Sequence, residues 1–529
     1  MKIPGWEGGA FTLWLLSVLL VTVMPIKAEE IETPRDPERY LTVISDLHIG
    51  LGKVDGRWHA YEDFRWPNAL EGFLDAVNKR GKGRVDLVIA GDFLELWQVP
   101  DDISCDGDGP NLGCTIEEVV RITHRIVNAH SGPGGAFEAL KRFSQEADNR
   151  ITLLPGNHDA ALLIPEVWMV VGTALEASSG RVRLAGPDSQ GRWISPNGQI
   201  VIEHGQQMGL DVNRYKQWPT VVDRESSRMI RVEGELNVQA LFNDVERTYP
   251  IIDNLSPEVK GAWYRAQDRG VWGSIADVAR LLVFTLFETS LEHKVDILGS
   301  APAVEAGQVV WDLDYARGKL GYLLFAESLP KGDLVGQLLL SDSKDQEIVA
   351  LRARLDDIGQ KMDDASLQHM CDQLSIQGNY RCEDPTTGAT LNVLVKSRYR
   401  VKQDHLIGLL ESDKRYRNMG VFIYGHTHQL EAGHSIKVGD DEIMVFNSGA
   451  FQRVMDDENY RRRIETVHPG MSPAEGLKRL KLEDDFKPCY SAVVGSLRKN
   501  GQDLNLLRWH MPEGGKGRFV EPGNSLCKW

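Results

Sequence analysis

Five short apolar runs, each ended by an abrupt turn that carries Asp, Asn or His, constrain the fold of this chain more than any other feature. They occupy residues 43–48 (VISDLH), 88–95 (VIAGDFLE), 153–159 (LLPGNHD), 202–205 (IEHG) and 423–428 (IYGHTH). Short runs rich in Val and Ile are typical of buried β-strands. Between the first three, Pro67 begins a helical pattern, and Thr115 and Glu118 have capping-box spacing. Strands that alternate with helices predict an α/β fold with crossover connections.

The polar residues of these segments fall where the predicted strands end, which is where loops converge and ligands bind in open α/β sheets. Asp46 and His48 are two positions apart, as are His426 and His428, so in extended backbone both members of a pair point the same way. A single such motif usually marks a turn, but five in this arrangement predict a metal site. Glycine, which turns sharply, stands beside the ligand-type residue in four segments, as Gly91, Gly156, Gly205 and Gly425.

The order D-x-H, G-D-x-x-E, G-N-H-D, H-G and G-H-T-H resembles the calcineurin-like metallophosphoesterase superfamily. The matching motifs cover residues 40–206 and 420–450. This resemblance implies a four-layer α/β/β/α sandwich and an enzyme that hydrolyses phosphoesters. The segment 91–97 (GDFLELW) is also similar to the second motif of the UDP-diacylglucosamine pyrophosphohydrolases of the lipid-A pathway. That subgroup is not exported and usually carries arginine where this chain has His158.

The resemblance also implies two metal ions and their ligands. The first would be held by Asp46, His48, Asp92 and His428, and the second by Asp92, Asn157, His204 and His426, with Asp92 bridging. Mixed imidazole and oxygen ligands suit manganese, zinc or iron, as divalent or trivalent ions, better than calcium. Two ions that share a water lower its pKa, which gives hydroxide for in-line attack at neutral pH. No protein nucleophile is then required, and the sequence contains neither a G-x-S-x-G elbow nor a Walker loop.

Two residues beside Asn157 are the candidate catalytic residues. His158 follows Asn157 directly and is expected to stabilise or protonate the leaving oxygen of the substrate. Asp159 is expected to hold the imidazole tautomer of His158, or to cap the following helix, or both. Glu95 is expected to orient a ligand histidine. Four other histidines, His405, His434, His468 and His510, are expected to be ordinary surface residues.

The N-terminus has the features of a secretory signal over residues 1–28, with cleavage after Ala28. Lys2 precedes an apolar run of 14 residues, 11–24, which is shorter than the roughly 20 residues needed to span a bilayer. An uncleaved membrane anchor is the alternative. The signal predicts an exported protein, either periplasmic or extracellular.

Six cysteines, an even number, fit an oxidising compartment. Their order along the chain suggests the pairs Cys105–Cys114, Cys371–Cys382 and Cys489–Cys527. The sequence alone does not choose between these and other pairings.

The sheet-forming sequence is predicted to be split by an insertion. The core would span residues 29–212 and 420–529, the second part with a C-terminal tail, and helical signals dominate residues 213–419 between them. An insertion of about 200 residues can form its own core, and at this place it could act as a lid over the site.

An exported phosphatase or phosphodiesterase that acts on a small-molecule or lipid phosphoester is the function implied. The net charge of −16 disfavours a nucleic-acid substrate, because phosphate backbones are repelled by an acidic surface. A membrane surface stays open as a partner, and the sequence does not address the oligomeric state. The alternatives are an exported nuclease, a lipid phosphodiesterase, and a non-catalytic binding protein that keeps its metals for structure.

Overall fold

The structure is a computed structural model that describes residues 39–105, 111–208, 213–239, 243–256, 261, 264–265, 309–310, 380–381, 391–498 and 501–527. The predicted signal at residues 1–28, the cysteines Cys371 and Cys382, and much of the predicted insertion at 213–419 lie outside these described residues. Within the described ranges, no helix combines the length and the apolar character needed to cross a bilayer.

Strands and helices are numbered separately, each in chain order. Strands β1 to β21 are Arg39–Ile44, Lys53–Val54, Arg57–Trp58, Val85–Ala90, Leu112–Thr115, Arg150–Leu154, Val182–Leu184, Trp193–Ile194, Ile200–Ile202, Val222–Asp223, Arg228–Ile230, Leu255–Ser256, Val309–Val310, Tyr380–Arg381, Val421–Tyr424, Leu430–Val438, Asp441–Ser448, Met455–Asp456, Cys489–Arg498, Gly501–His510 and Arg518–Val520. Helices α1 to α10 are Pro67–Gly81, Ile116–His130, Ala136–Gln145, Pro165–Ala174, Glu233–Asn237, Asn243–Glu246, Leu391–Ser412, Asp457–Val467, Pro473–Arg479 and Leu482–Asp485.

Two sheets organise the described residues. The larger has the strand order β21-β20-β19-β1-β4-β6-β7, in which β1, β4, β6 and β7 run parallel. The smaller has the order β16-β17-β15-β9-β8, in which β17, β15 and β9 run parallel. Parallel neighbours need crossover connections, and α1 links β1 to β4 while α2 and α3 link β4 to β6. The predicted α/β fold with crossover connections is confirmed.

The two sheets face each other across a shared apolar core. Val43 of β1 packs with Ile202 of β9 and Ile423 of β15 in one buried cluster. The next residue of β1, Ile44, points the opposite way and joins the core that helices α1 to α4 form on the outer face of the larger sheet. On the outer face of the smaller sheet, Leu406 of α7 packs in a cluster with side chains of β9, β15 and β17. Packing on both faces explains why these strands are apolar runs without alternation.

The start of helix α2 follows its sequence signal. Thr115 Oγ1 accepts a hydrogen bond from the Glu118 backbone N–H at 3.2 Å, and Glu118 Oε2 accepts one from the Thr115 N–H at 2.8 Å. This reciprocal pair is the predicted capping box. Helix α1 likewise begins with Pro67 in its first turn.

Two of the three suggested disulfides are present in the described residues. Cys105–Cys114 closes a short loop at β5, with 4.0 Å between its Cα atoms, and Cys489–Cys527 holds the C-terminal segment against the start of β19, with 5.7 Å between its Cα atoms. Disulfides persist in oxidising compartments, so their presence fits such an environment.

The described parts of the predicted insertion pack onto the core segments. β10 and β11 form a small antiparallel sheet with β5, and β12 pairs with β18. Helix α7 ends the predicted insertion and joins the core of the smaller sheet through Leu406 and Leu409. Whether the whole of residues 213–419 is mainly helical stays a prediction.

Candidate metal centre

The loops that follow β1, β4, β6, β9 and β15 meet between the two sheets, because these strands present their carboxyl ends at the same edge. They bring together all seven predicted ligand residues. Asp46 and His48 follow β1, Asp92 follows β4, Asn157 follows β6, His204 follows β9, and His426 and His428 follow β15.

The first group consists of Asp46, His48 and His428, whose ligand-type atoms all lie within 4.8 Å of one another. Asp46 Oδ1 lies 3.4 Å from His428 Nε2, and His48 Nε2 lies 3.2 Å from the same nitrogen. Two loops thus supply three ligand atoms that lie close enough together to coordinate one metal ion.

The second group consists of Asp92, His204 and His426, with the same mutual limit of 4.8 Å. His204 Nε2 lies 3.0 Å from Asp92 Oδ2 and 3.0 Å from Asn157 Oδ1. Asp92 Oδ2 is also 3.8 Å from His48 Nε2 of the first group. Asp92 therefore lies between the two groups, in the position expected of a bridging carboxylate.

The imidazoles are oriented by contacts on their far side. His48 Nδ1 lies 2.9 Å from Glu95 Oε2, and His204 Nδ1 lies 2.9 Å from the Ala90 carbonyl oxygen. A carboxylate and a carbonyl accept hydrogen bonds, so each Nδ1 donates and each Nε2 faces the centre. This is the orientation that metal-ligating histidines adopt in proteins, and Glu95 has the orienting position expected of it.

The backbone at these residues is strained. Asp46, His48, Asp92, His426 and His428 have φ values of 54°, 47°, 49°, 70° and 52°. Left-handed backbone is uncommon outside glycine, costs on the order of 1 kcal/mol or more per residue, and gathers at functional sites. The expectation of extended backbone at the pairs Asp46/His48 and His426/His428 is therefore wrong. Left-handed turns, rather than the alternation of a strand, direct these side chains into the site.

Gly91 and Gly205 have positive φ values, 89° and 125°, as expected of glycines in sharp turns, whereas Gly156 and Gly425 leave space for the ligands. A Cβ atom at Gly156 would collide with the carboxylate of Asp92, and one at Gly425 would collide with Ser45 and Asp46. Neither glycine has a positive φ. At both positions the requirement is close approach rather than a special turn.

The carboxylates of the centre are held in their charged form. Burial raises the pKa of Asp92, but His204 and His158 lower it more, so that it lies well below its usual value. Burial lowers the pKa of His204, but Asp92 and Asp46 raise it more, to about 9. The buried aspartates thus select positive charge, and a metal cation competes with protons for the same imidazole nitrogens.

His158 contacts Glu95 instead of Asp159. Its Nδ1 lies 2.6 Å from Glu95 Oε2, and its ring stacks on Trp97 with 3.9 Å between the ring centroids. Its backbone N–H donates to Asp92 Oδ1 at 2.9 Å. Burial lowers the pKa of His158, but Glu95 and Asp92 raise it more, to about 9. Glu95 therefore orients both a ligand histidine and the candidate catalytic histidine.

Asp159 has neither of its expected contacts. Its carboxylate accepts backbone hydrogen bonds from Gly156 at 2.7 Å, Phe93 at 2.8 Å and Leu94 at 3.2 Å. The side chain makes no capping bond to the short 3-10 helix Ala160–Leu163 that follows. Burial, and then the charge of Asp92, raises the pKa of Asp159 to about 7. Asp159 joins the loop after β4 to the loop after β6, which no local sequence pattern indicates.

The contact between His405 and Glu203 was not predicted from the sequence. His405 was expected at the surface, but its Nε2 lies 2.6 Å from Glu203 Oε1, and Arg192 Nε lies 2.6 Å from Glu203 Oε2. The signal for this contact is the charge of Glu203 inside an apolar run, directly before His204. Asn447 supports the GHTH loop, since its Nδ2 donates to Thr427 Oγ1 at 2.8 Å.

The described structure thus contains two adjoining groups of buried and half-buried His and Asp residues that could hold metal ions. The chain matches no model of a known protein family and is significantly similar to no curated protein.

Proposed function

We propose that this chain is an exported, metal-dependent phosphoester hydrolase of the calcineurin-like type, either a phosphatase or a phosphodiesterase. The observation that carries the proposal is the place of Asp92, 3.0 Å from His204 of one ligand group and 3.8 Å from His48 of the other. In this proposal the two facing sheets and their outer helices are the four-layer sandwich of that superfamily.

The first ion would be held by Asp46, His48, Asp92 and His428, and the second by Asp92, Asn157, His204 and His426. Manganese, zinc and iron suit these nitrogen and oxygen donors. A bound pair of such ions supplies an activated water and neutralises charge on the phosphoryl oxygens. The strained turns and the oriented Nε2 atoms support the ligand assignment, since both prepare donors toward one point.

His158 is the residue assigned to the leaving group. Because its Nδ1 donates to Glu95 at 2.6 Å, its Nε2 is the atom that can donate a proton or a hydrogen bond to a substrate oxygen. Stacking on Trp97 restrains the ring in this orientation. Asp159 has an indirect role. It accepts hydrogen bonds from the backbone of Phe93 and Gly156, and so fixes the backbone next to Asp92 and Asn157.

Export is proposed from the two disulfides and the signal-like residues 1–28. A small-molecule or lipid phosphoester is the proposed substrate class, because a chain with a net charge of −16 repels nucleic acid. A membrane surface is proposed as a partner only if the substrate is a lipid.

The test is hydrolysis of p-nitrophenyl phosphate and bis-p-nitrophenyl phosphate by the full-length protein, with and without added Mn²⁺. Asp92→Asn is expected to abolish turnover of both, because it removes the charge and one oxygen of the carboxylate common to the two groups. His124→Ala is the matched control, since His124 is exposed on α2, and it should retain full activity. Hydrolysis that survives Asp92→Asn would refute the proposal, and so would a metal-loaded parent that hydrolyses neither ester nor any member of a phospholipid and nucleotide panel.

A further inference from the structure

A cluster of three acidic side chains lies apart from the proposed metal ligands. It consists of Asp63, which lies between β3 and α1, Glu246, which ends α6, and Asp253. One carboxylate oxygen from each lies within 4.8 Å of the other two. Asp63 is 5% exposed and Glu246 is fully buried.

The described residues supply little to balance the charge of Asp63 and Glu246. Glu246 Oε2 accepts a hydrogen bond from Gln98 Nε2, but Glu246 Oε1 is buried and has no hydrogen-bond partner in the described structure. No described residue donates a hydrogen bond to the side chain of Asp63. The cation that acts on both carboxylates is Arg65, whose guanidinium already donates to the Glu62 carbonyl oxygen at 2.8 Å and to Glu483 at 3.1 Å. Buried carboxylates without a partner are costly, so a ligand is called for.

Two amide oxygens of the described residues also lack a hydrogen-bond partner. The amide oxygens of Gln98 and Asn254 are buried and have no hydrogen-bond partner within the described ranges. Gln98 is anchored to Glu246, and Asn254 follows Asp253 directly. The donors on offer here are all oxygens, in contrast with the imidazole-rich centre. Calcium takes six to eight oxygen ligands in flexible geometry, including carboxylates and amide carbonyls.

We propose that Asp63, Glu246 and Asp253, with the amide oxygen of Gln98, bind one divalent cation of the calcium class. Such an ion would join three segments: the loop before α1, the loop after β4, and the segment from α6 to Asp253. Gln98 directly follows Trp97, which stacks on His158, so the ion would brace the loop that positions that histidine. The site shares no ligand with the centre around Asp92 and does not rest on the proposed hydrolase activity.

Electrostatics agree with a cation at this place. Burial, and then the charge of Asp253, holds the pKa of Asp63 well above its usual value, and the same two causes act on Glu246. Without a cation these carboxyls retain protons and repel one another when they ionise. Calcium binding therefore has to release protons, which a calorimetric titration in buffers of different ionisation enthalpy detects.

The test measures thermal unfolding and ⁴⁵Ca²⁺ equilibrium dialysis on the full-length, Mn²⁺-loaded protein. Calcium at about a hundredfold its dissociation constant should raise the Tm by about 2–3 °C, with one ion bound per chain. Glu246→Gln should remove that rise, and in chelator it should melt at or above the parent because a neutral amide replaces a buried carboxyl that resists ionisation. Glu458→Gln, which alters an exposed glutamate on α8, is the matched control and should respond as the parent does.

Asp63→Asn provides a second variant with the same expected loss of the calcium response. Asp92→Asn should lose hydrolysis yet keep the calcium-dependent rise in Tm, so a failure of either proposal is distinguishable from a failure of the other. A parent whose Tm and ⁴⁵Ca²⁺ binding do not change at millimolar calcium would overturn the site. A rise in Tm that persists unchanged in Glu246→Gln would do the same.

Discussion

The two sheets bring different chemistry to the site. The larger sheet supplies every proposed oxygen ligand, as Asp46, Asp92 and Asn157, together with His48. The smaller sheet supplies only imidazoles, from the loops after β9 and β15. Each ligand group draws on both sheets, so neither sheet alone holds a complete set.

This division makes the centre a product of sheet-on-sheet packing. The buried cluster that includes Val43, Ile202 and Ile423 sets the distance between the sheets and hence between carboxylates and imidazoles. Left-handed turns on both sides then make the final adjustment of the ligands. Loss of Asp92, the proposed bridging residue on the larger sheet, should therefore affect both metals, whereas loss of one imidazole from the smaller sheet should affect one.

The largest effect among the variants that test this division is expected from His204→Ala, on the smaller sheet. It removes an imidazole that belongs to the second group alone, so the chain should retain the first ion and lose the second. Turnover of p-nitrophenyl phosphate should fall on the order of 10³-fold, since each ion contributes several kcal/mol to the transition state. Elemental analysis after gel filtration counts the metals. Retention of both ions in His204→Ala would contradict the division into two groups.

A smaller effect is expected from His158→Ala, on the larger sheet. Both ions should stay bound while kcat falls by about 10² to 10³-fold, because the variant removes a donor to the leaving group and no ligand. The loss should be greater for phenyl phosphate than for p-nitrophenyl phosphate, since the poorer leaving group depends more on a proton. An equal loss for both esters would argue against proton donation by His158.

Glu95→Gln should reduce activity by about 10 to 100-fold, as is typical when the partner of a ligand histidine is altered. It should also change the pH dependence. The pKa of His158 is raised to about 9, partly by Glu95, so its protonated form is present below that pH and is lost as the pH rises through it. Removing the charge of Glu95 lowers this pKa. The basic limb of the kcat/KM profile should therefore move to lower pH in Glu95→Gln. An unmoved limb would mean that the protonation of His158 does not control kcat/KM.

Sequence patterns indicate the ligands but not most of the contacts that hold them. Asp46, Asp92 and the GHTH histidines stand beside strand ends, so a local pattern identifies them. The contacts of Asp159 with Phe93 and Leu94 join residues more than 60 positions apart, and no local pattern encodes them. The pairing of His405 with Glu203 joins the first core segment to the last part of the predicted insertion and is equally hidden. Local patterns indicate which residues can bind, whereas tertiary packing decides which of them support the site.

The smallest effect should come from Ser45→Ala, at the seam between the sheets. Ser45 directly follows β1, and its Oγ lies 2.7 Å from Ser448 Oγ at the end of β17 and donates to the Gly449 carbonyl oxygen at 2.8 Å. Loss of these bonds leaves buried oxygens across the seam, which should lower the free energy of unfolding by about 1–3 kcal/mol in urea.

Activity should fall by about twofold to fivefold in Ser45→Ala, because Asp46 follows Ser45 directly and the seam aligns it with His426, whose N–H donates to Asp46 at 3.1 Å. Ser144→Ala is the matched control, since Ser144 is equally buried but its hydroxyl donates within its own segment, to the Lys141 carbonyl oxygen. Equal losses of activity in both variants would mean that general stability, rather than the alignment of the two sheets, limits the rate. A loss confined to Ser45→Ala would locate the alignment of carboxylates with imidazoles at this seam.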